Sequence, residues 1–208
     1  MVVVGMLTSA LHGFLLALGL ILPLGAQNAF IFNLGARNAQ FRRTLPAVVT
    51  AALCDTCLLA LAVLGVSVLI FGIPVLKGFL LAGGILFLLY MGWTTWRSSA
   101  EEGKTRQTGA YPVRKQIAYT MSVSLLNPHA IMDTVGVIGT SSLNYAGAEK
   151  WMFACACILV SWLWFVALAW AGRMVGSLDR TGKLLRVLNR VSAVVIWFSA
   201  AMMLYLWL

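Results

Sequence analysis

Two acidic residues, Asp55 and Asp133, stand in the middle of long apolar runs, while Glu101, Glu102, Glu149 and Asp179 fall between such runs. A charged side chain at the centre of a bilayer costs somewhere between about 3 and 17 kcal/mol, and such residues mark ion pathways and proton relays. No lysine or arginine lies deep in any apolar run to neutralise these two acids. They have two options: to stay protonated, or to bind a cation brought from outside the chain. A protein that alternates between the two exchanges a cation for a proton. Without such alternation each Asp would be a protonated structural hydrogen-bonder.

Two polar interruptions accompany the acids. Residues 21–30 read ILPLGAQNAF and residues 124–134 read SLLNPHAIMDT. Proline has no N–H and clashes with the carbonyl four residues back. Pro23 is therefore expected to free the carbonyl of Gly19, and Pro128 that of Ser124. Non-helical backbone inside a bilayer survives only against protein or a wet cavity, and a bare carbonyl accepts a cation's N–H groups. Gly25 permits close approach of a ligand or a neighbouring helix. Gln27, Asn28 and Asn127 add side-chain donors and acceptors. One such proline alone would read as a kink; two, each accompanied by polar residues, read as a site.

Several further residues stand close to this set. His129 lies four residues before Asp133 and shares its face if a helix resumes there, so it could relay protons, orient Asp133 or simply pack. Trp162 and Trp164 flank the middle of an apolar run, beside Ser161. A tryptophan there could stack on a guanidinium, although core packing is the commoner use. His12 reads as interfacial, and so do Trp93, Trp96, Trp151, Tyr205 and Trp207 near the ends of runs.

The elements that must position these residues are membrane helices. The chain has 208 residues, 61% hydrophobic and 10% charged, where a soluble domain has about 45–50% and about 25%. Runs long enough to span, roughly 20 residues each, fall at 5–34, 45–71, 74–96, 116–142, 150–172 and 187–208. Six spans leave no separate soluble domain. Thirteen of the fifteen basic residues fall in the first, third and fifth loops; only Lys77 and Lys150 fall in the others. Basic loops stay cytoplasmic, so both termini are expected outside. Loops this short offer no folded basic surface for nucleic acid. The first run lacks a basic segment before it and is too long for a cleaved signal.

Cys54, Cys57, Cys155 and Cys157 lie within spans and read as small hydrophobes. The Cys54-x-x-Cys57 pair has no histidine or cysteine partner at zinc spacing, so neither metal nor cofactor is expected. Six spans also suggest two halves, about 1–96 and 116–208, joined by a flexible cytoplasmic connector, about 97–115. With Pro23 set over Pro128, Asn28 falls on Asp133 and Asp55 nearly on Ser161. Three spans is an odd number, so the second half would run upside down relative to the first. That is the inverted-repeat plan of many transporters, whose site lies near the midplane between broken helices.

LPLGAQNAF in span 1, Asp55 in span 2, LNPHAIMDT in span 4 and SWLWF in span 5 together resemble the lysine exporter superfamily, in its lysine/arginine exporter branch. The resemblance covers essentially the whole chain. Family members usually read P-L-G-P-Q-N, and Ala26 here replaces the second proline, which suggests a gentler break. The resemblance implies export of L-arginine or L-lysine across a bacterial inner membrane, driven by the membrane potential or the proton gradient. The expectation is thus an all-α membrane protein of six transmembrane helices, two inverted three-helix repeats with helices 1 and 4 broken. Its partners would be a basic amino acid, the bilayer and protons. Export of a neutral amino acid or a metal cation is the runner-up. A non-transporting subunit or an intramembrane enzyme is the reading of another class, and no nucleophile–base or His-Glu-x-x-His motif supports an enzyme. Small residues such as Gly83, Gly84 and Gly92 permit helix packing, which leaves a homo-oligomer open.

Overall fold

The computed structural model describes residues 2–22, 25–38, 40–65, 74–101, 112–178 and 183–207. Among these the chain is helical throughout and has no strand. The helices are α1 (Val2–Ile21), α2 (Ala26–Arg37), α3 (Leu45–Val63), α4 (Pro74–Glu101), α5 (Val113–Leu125), α6 (Pro128–Ile131), α7 (Gly139–Ser142), α8 (Gly147–Leu178) and α9 (Lys183–Trp207). A 3₁₀ turn, Phe41–Arg43, precedes α3, and a π-helical stretch, Met132–Ile138, joins α6 to α7. Val3–Ile21, Leu45–Val63 and Gly147–Ser177 are long and apolar enough to cross a membrane. Most of the connector expected at 97–115, residues 102–111, lies outside the described residues.

Both expected interruptions are breaks in the helix, but they differ in construction. The first separates α1 from α2. Pro23 lies outside the described residues; Gly25 is extended, with φ −76° and ψ 178°, and caps α2. Its carbonyl accepts the Ala29 N–H at 3.0 Å, which begins the new helix. Asn28 reaches back across the break and donates its Nδ2 to the carbonyl of Ile21 at 2.7 Å. The backbone acceptor met by a side chain is therefore that of Ile21. In the second break α5 ends at Leu125, and Pro128 is the first residue of α6. Proline suits a first helical position, where its missing N–H would have no partner anyway. Pro128 therefore starts a helix instead of kinking one. The carbonyl of Asn127 accepts the Ile131 N–H at 3.1 Å.

The longest helix, α8, organises the packing. It has 32 residues, about 48 Å at ~1.5 Å per residue. Both α1 and α2 lie along it, and α3 crosses it. The neighbours run in order: Gly5 faces Glu149, Gly13 faces Phe153 and accepts the Cys157 thiol at 3.3 Å, and Ala36 faces Gly172 and Gly176. The broken pair α1–α2 thus runs parallel to α8. Small residues make the close approach possible. A Cβ at Gly35 would strike the Ala169 carbonyl, and one at Gly172 the Phe32 carbonyl. Elsewhere α4 packs along α9, and α5, the π-helical stretch and α7 pack on α3.

Three apolar clusters fill the spaces. Ile31, Ala47, Val48 and Phe165 bind α2, α3 and α8; Trp162 and Trp164 pack on that cluster. Ala17, Leu59, Ile138, Phe153 and Cys157 bind the other end of α8. Ala26, Leu88, Met91, Val123 and Ile196 join α4, α5 and α9 to the start of α2. All four cysteines are free; Cys54 is buried and Cys57 exposed, so the pair does not share an environment. His12 bonds the Tyr145 hydroxyl at 2.8 Å, at the end of the molecule where α8 begins. Trp93, Trp151 and Tyr205 are exposed. Trp96 stacks on Trp197 and carries the Arg190 guanidinium 5.5 Å above its ring.

Candidate functional site

Where the two breaks and the α3–α8 crossing meet, the helices enclose a cavity of about 120 Å³. Its polar wall is Gly25, Gln27, Asn28, Asp55, Asn127, Asp133, Thr134 and Ser161. Leu59, Leu88, Phe165 and Ile196 supply the apolar wall. The site owes its place to the helix breaks. A residue at the start of α2 faces inward only because α1 has stopped, leaving the first turn of α2 open at the cavity's edge. The first N–H groups of a helix have no intrahelical partner, and Ala26, Gln27 and Asn28 at this end all line the cavity.

Asp55 lies on α3 opposite Ser161, which is close to the midpoint of α8. Each oxygen of its carboxylate accepts a bond from a different helix. Gln27 Nε2 donates to Oδ1 at 3.3 Å, and Ser161 Oγ donates to Oδ2 at 3.2 Å. Both donors are neutral, so the carboxylate is oriented without its charge being cancelled. Asp133 reaches the same cavity from the first turn of the π-helical stretch. Such π turns are rare and occur often at functional sites. A π turn carries an extra residue, and this one packs against α3. Gln27, Asn28 and Asn127 are each 6–7% exposed, buried polar groups. Among the described residues, no three His, Cys, Asp or Glu side chains cluster as a metal site would require.

The cavity gathers Asp55, Asp133, Gln27, Asn28, Asn127, Gly25 and Ser161, all singled out in the sequence. Gly19 is exposed on α1 and does not line it. Ser124 is fully buried at the end of α5 but also stands outside the lining. Trp162 and Trp164 do not reach it either; the Trp162 indole donates to Thr56 Oγ1 at 3.1 Å instead. The side chains of Pro128 and His129 lie outside the described residues. Thr134 was not anticipated, although its place beside Asp133 could have suggested it. Leu88 and Ile196 were not anticipated either, and nothing in their local sequence marks them.

A helical bundle with a polar cavity between broken helices, deep in a chain this apolar, defines a membrane transporter. The chain belongs to the LysE type translocator family, which matches it over residues 6–206. Members of that family are transporters and not enzymes, and the chain is a multi-pass membrane protein. It is 52% identical to "Putative amino-acid transporter YisU" of Bacillus subtilis (strain 168), over 93% of this chain and 88% of the relative. It is 34% identical to "Arginine exporter protein ArgO" of Pectobacterium carotovorum, over 90% of this chain and 92% of the relative. It is 30% identical to "Putative amino-acid transporter YggA" of Aeromonas salmonicida, over 91% and 92% respectively. No solved structure matches the chain.

Proposed function

We propose that the protein exports basic L-amino acids, arginine first and lysine second, across a bacterial inner membrane in exchange for protons. One observation carries the reading: Asp55 and Asp133 open into the same cavity, with the neutral amides of Gln27, Asn28 and Asn127 around them. Carboxylates suit a cationic substrate, and the amides suit its remaining polar groups. The open first turn of α2 suits a substrate carboxylate, because the helix dipole places partial positive charge there. The arginine exporters among the relatives support the substrate.

Six spans arranged as two inverted repeats are the frame for this function. The parallel course of α1–α2 and α8 supports it: between them the chain must return an odd number of times, and α3, α4 and the broken α5–α7 supply three crossings. The packing also survives exchange of the halves. α1 on α8 answers to α5 on α3, and α2 on α8 answers to the π-helical stretch on α3. Asp55 and Ser161, one residue from equivalence when the halves are superposed in sequence, meet at the α3–α8 crossing. The concentration of basic residues in the first, third and fifth loops supports an arrangement with both termini outside.

Moving one positive charge outward against an inside-negative potential costs about 2.3 kcal/mol per 100 mV. Exchange for one inward proton cancels that cost and leaves the pH gradient to drive export. The test uses proteoliposomes loaded with labelled arginine, with external lysine and leucine as competitors and an imposed pH gradient. Efflux should be inhibited by lysine but not leucine, accelerate with an acidic exterior, and be lost in Asp55→Asn and Asp133→Asn. Equal inhibition by leucine would move the substrate to amino acids in general. Wild-type rates in both variants would make the acids structural.

A further inference from the structure

The two partners of Asp55 are not chemically equivalent. The Gln27 amide nitrogen can only donate, whereas a serine hydroxyl both donates and accepts. A charged Asp55 needs donors on both oxygens, and it has them in Gln27 Nε2 and Ser161 Oγ. A protonated Asp55 carries an O–H that must itself find an acceptor, or a buried polar group goes unsatisfied. Oδ1 could take the proton only if the whole Gln27 amide turned over to present its Oε1. Oδ2 can, because Ser161 is able to turn round.

We propose that Ser161 is a positioning residue that keeps Asp55 hydrogen-bonded in both of its protonation states and thereby permits the proton-bound half of the transport cycle. The proposal rests on the exchange reading above. As the substrate cation leaves, a proton entering from the outer side bonds to Asp55 Oδ2. The new O–H donates to Ser161 Oγ. The serine hydrogen swings to the carbonyl of Cys157 one turn back, a bond that serines in helices commonly make. Oδ1 keeps its bond from Gln27 throughout. On the inner side the proton leaves, the hydroxyl swings back, and Oδ2 again accepts from it. No atom is left over: one proton enters with the empty carrier and one leaves as the next substrate binds.

The site gives this role to no neighbour. α2 presents Gln27 and Asn28, α4 presents Leu88, and α9 presents Ile196, none of which titrates. The titratable groups near Asp55 are Asp133 from the π-helical stretch, Cys157 on α8, and Cys54 and Cys57 on α3 itself. Ser161 is 5% exposed and reaches Asp55 directly.

Two assays on the reconstituted full chain separate this from a packing role. Net efflux of labelled arginine into arginine-free medium, with an acidic exterior, requires the proton-bound carrier to return. Exchange of labelled for unlabelled arginine at equal concentrations requires only the substrate-bound form. Ser161→Ala should lower net efflux by about tenfold, the loss expected when a buried group goes unpaired. Exchange should fall by a much smaller factor, and Ser161→Thr should restore net efflux. If Ser161→Ala does not fold, Ser161→Cys keeps the volume with a weaker donor and acceptor and should show the same unequal loss. An equal loss in both assays, or no rescue by threonine, would overturn the role of Ser161 while leaving the export reading intact. A wild type that exchanges arginine but ignores the pH gradient overturns the proton step. A wild type that moves no arginine removes the export reading, and this proposal with it.

Discussion

Asn28 offers the most direct check on how the first break is held. Its side chain is 6% exposed and donates to the Ile21 carbonyl at 2.7 Å. That carbonyl ends α1, so it has lost the helical partner that would otherwise satisfy it. Replacing Asn28 with leucine keeps a similar volume and removes the donor. The orphaned carbonyl should then cost about 1–3 kcal/mol, the usual penalty for a buried acceptor left alone. For a chain of this size each kcal/mol moves Tm by roughly 2–4 °C. Asn28→Leu should therefore melt about 2–12 °C below wild type in detergent micelles, and Asn28→Ser should recover part of the loss if its shorter side chain recruits water. Asn144→Ala, at an exposed loop position, serves as the control and should not shift. A wild-type Tm for Asn28→Leu would refute the claim that this bond braces the break. The amide would then serve the substrate alone, and the defect should appear as a raised KM.

Other outcomes follow from the same geometry. Gly172→Leu sets a side chain against the Phe32 and Ala36 backbone; overpacking of this kind costs about 1–3 kcal/mol, and size-exclusion profiles should show loss of the monodisperse species. Trp162→Phe loses the bond to Thr56 but touches no cavity surface, so stability should drop by about 0.5–1.5 kcal/mol with the KM for arginine unchanged. Tyr145→Phe breaks an exposed bond to His12 and should cost less than about 1 kcal/mol in a thermal melt. For the topology, single cysteines placed at Arg42 and Asn144 in a cysteine-free background should react differently in intact cells: a membrane-impermeant maleimide should label the second and not the first.

Much of this protein was legible from the residues alone. The apolar fraction and apolar runs of roughly 20 residues point to a helical membrane protein, because a spanning strand needs only about 10 residues. Pro23, Pro128 and the polar residues around them point to two breaks, since two prolines each accompanied by amides are more than a simple kink requires. Asp55 and Asp133 stand out because burying charge is costly enough to need a purpose. The parts that were not legible depend on direction and distance. A sequence gives which residues interrupt a helix, but the exact restart depends on packing: Pro128 reads as a break in span 4, and the structure makes it the first residue of the new helix. Gly19 and Ser124 follow from counting four residues back from a proline, but neither lines the cavity; the side chain that crosses the first break, Asn28, meets Ile21 instead. Trp162 and Trp164 follow Ser161 closely in sequence, but successive residues of a helix point about 100° apart, so they face α3 and the core while Ser161 faces the cavity. The π turn at 132–138, the approach of Ala36 to Gly172 and Gly176, and the bracing of Asp55 between Gln27 and Ser161 join residues up to 140 positions apart. Local sequence carries the chemistry of each partner, and only the packing of α2, α3 and α8 decides that they meet.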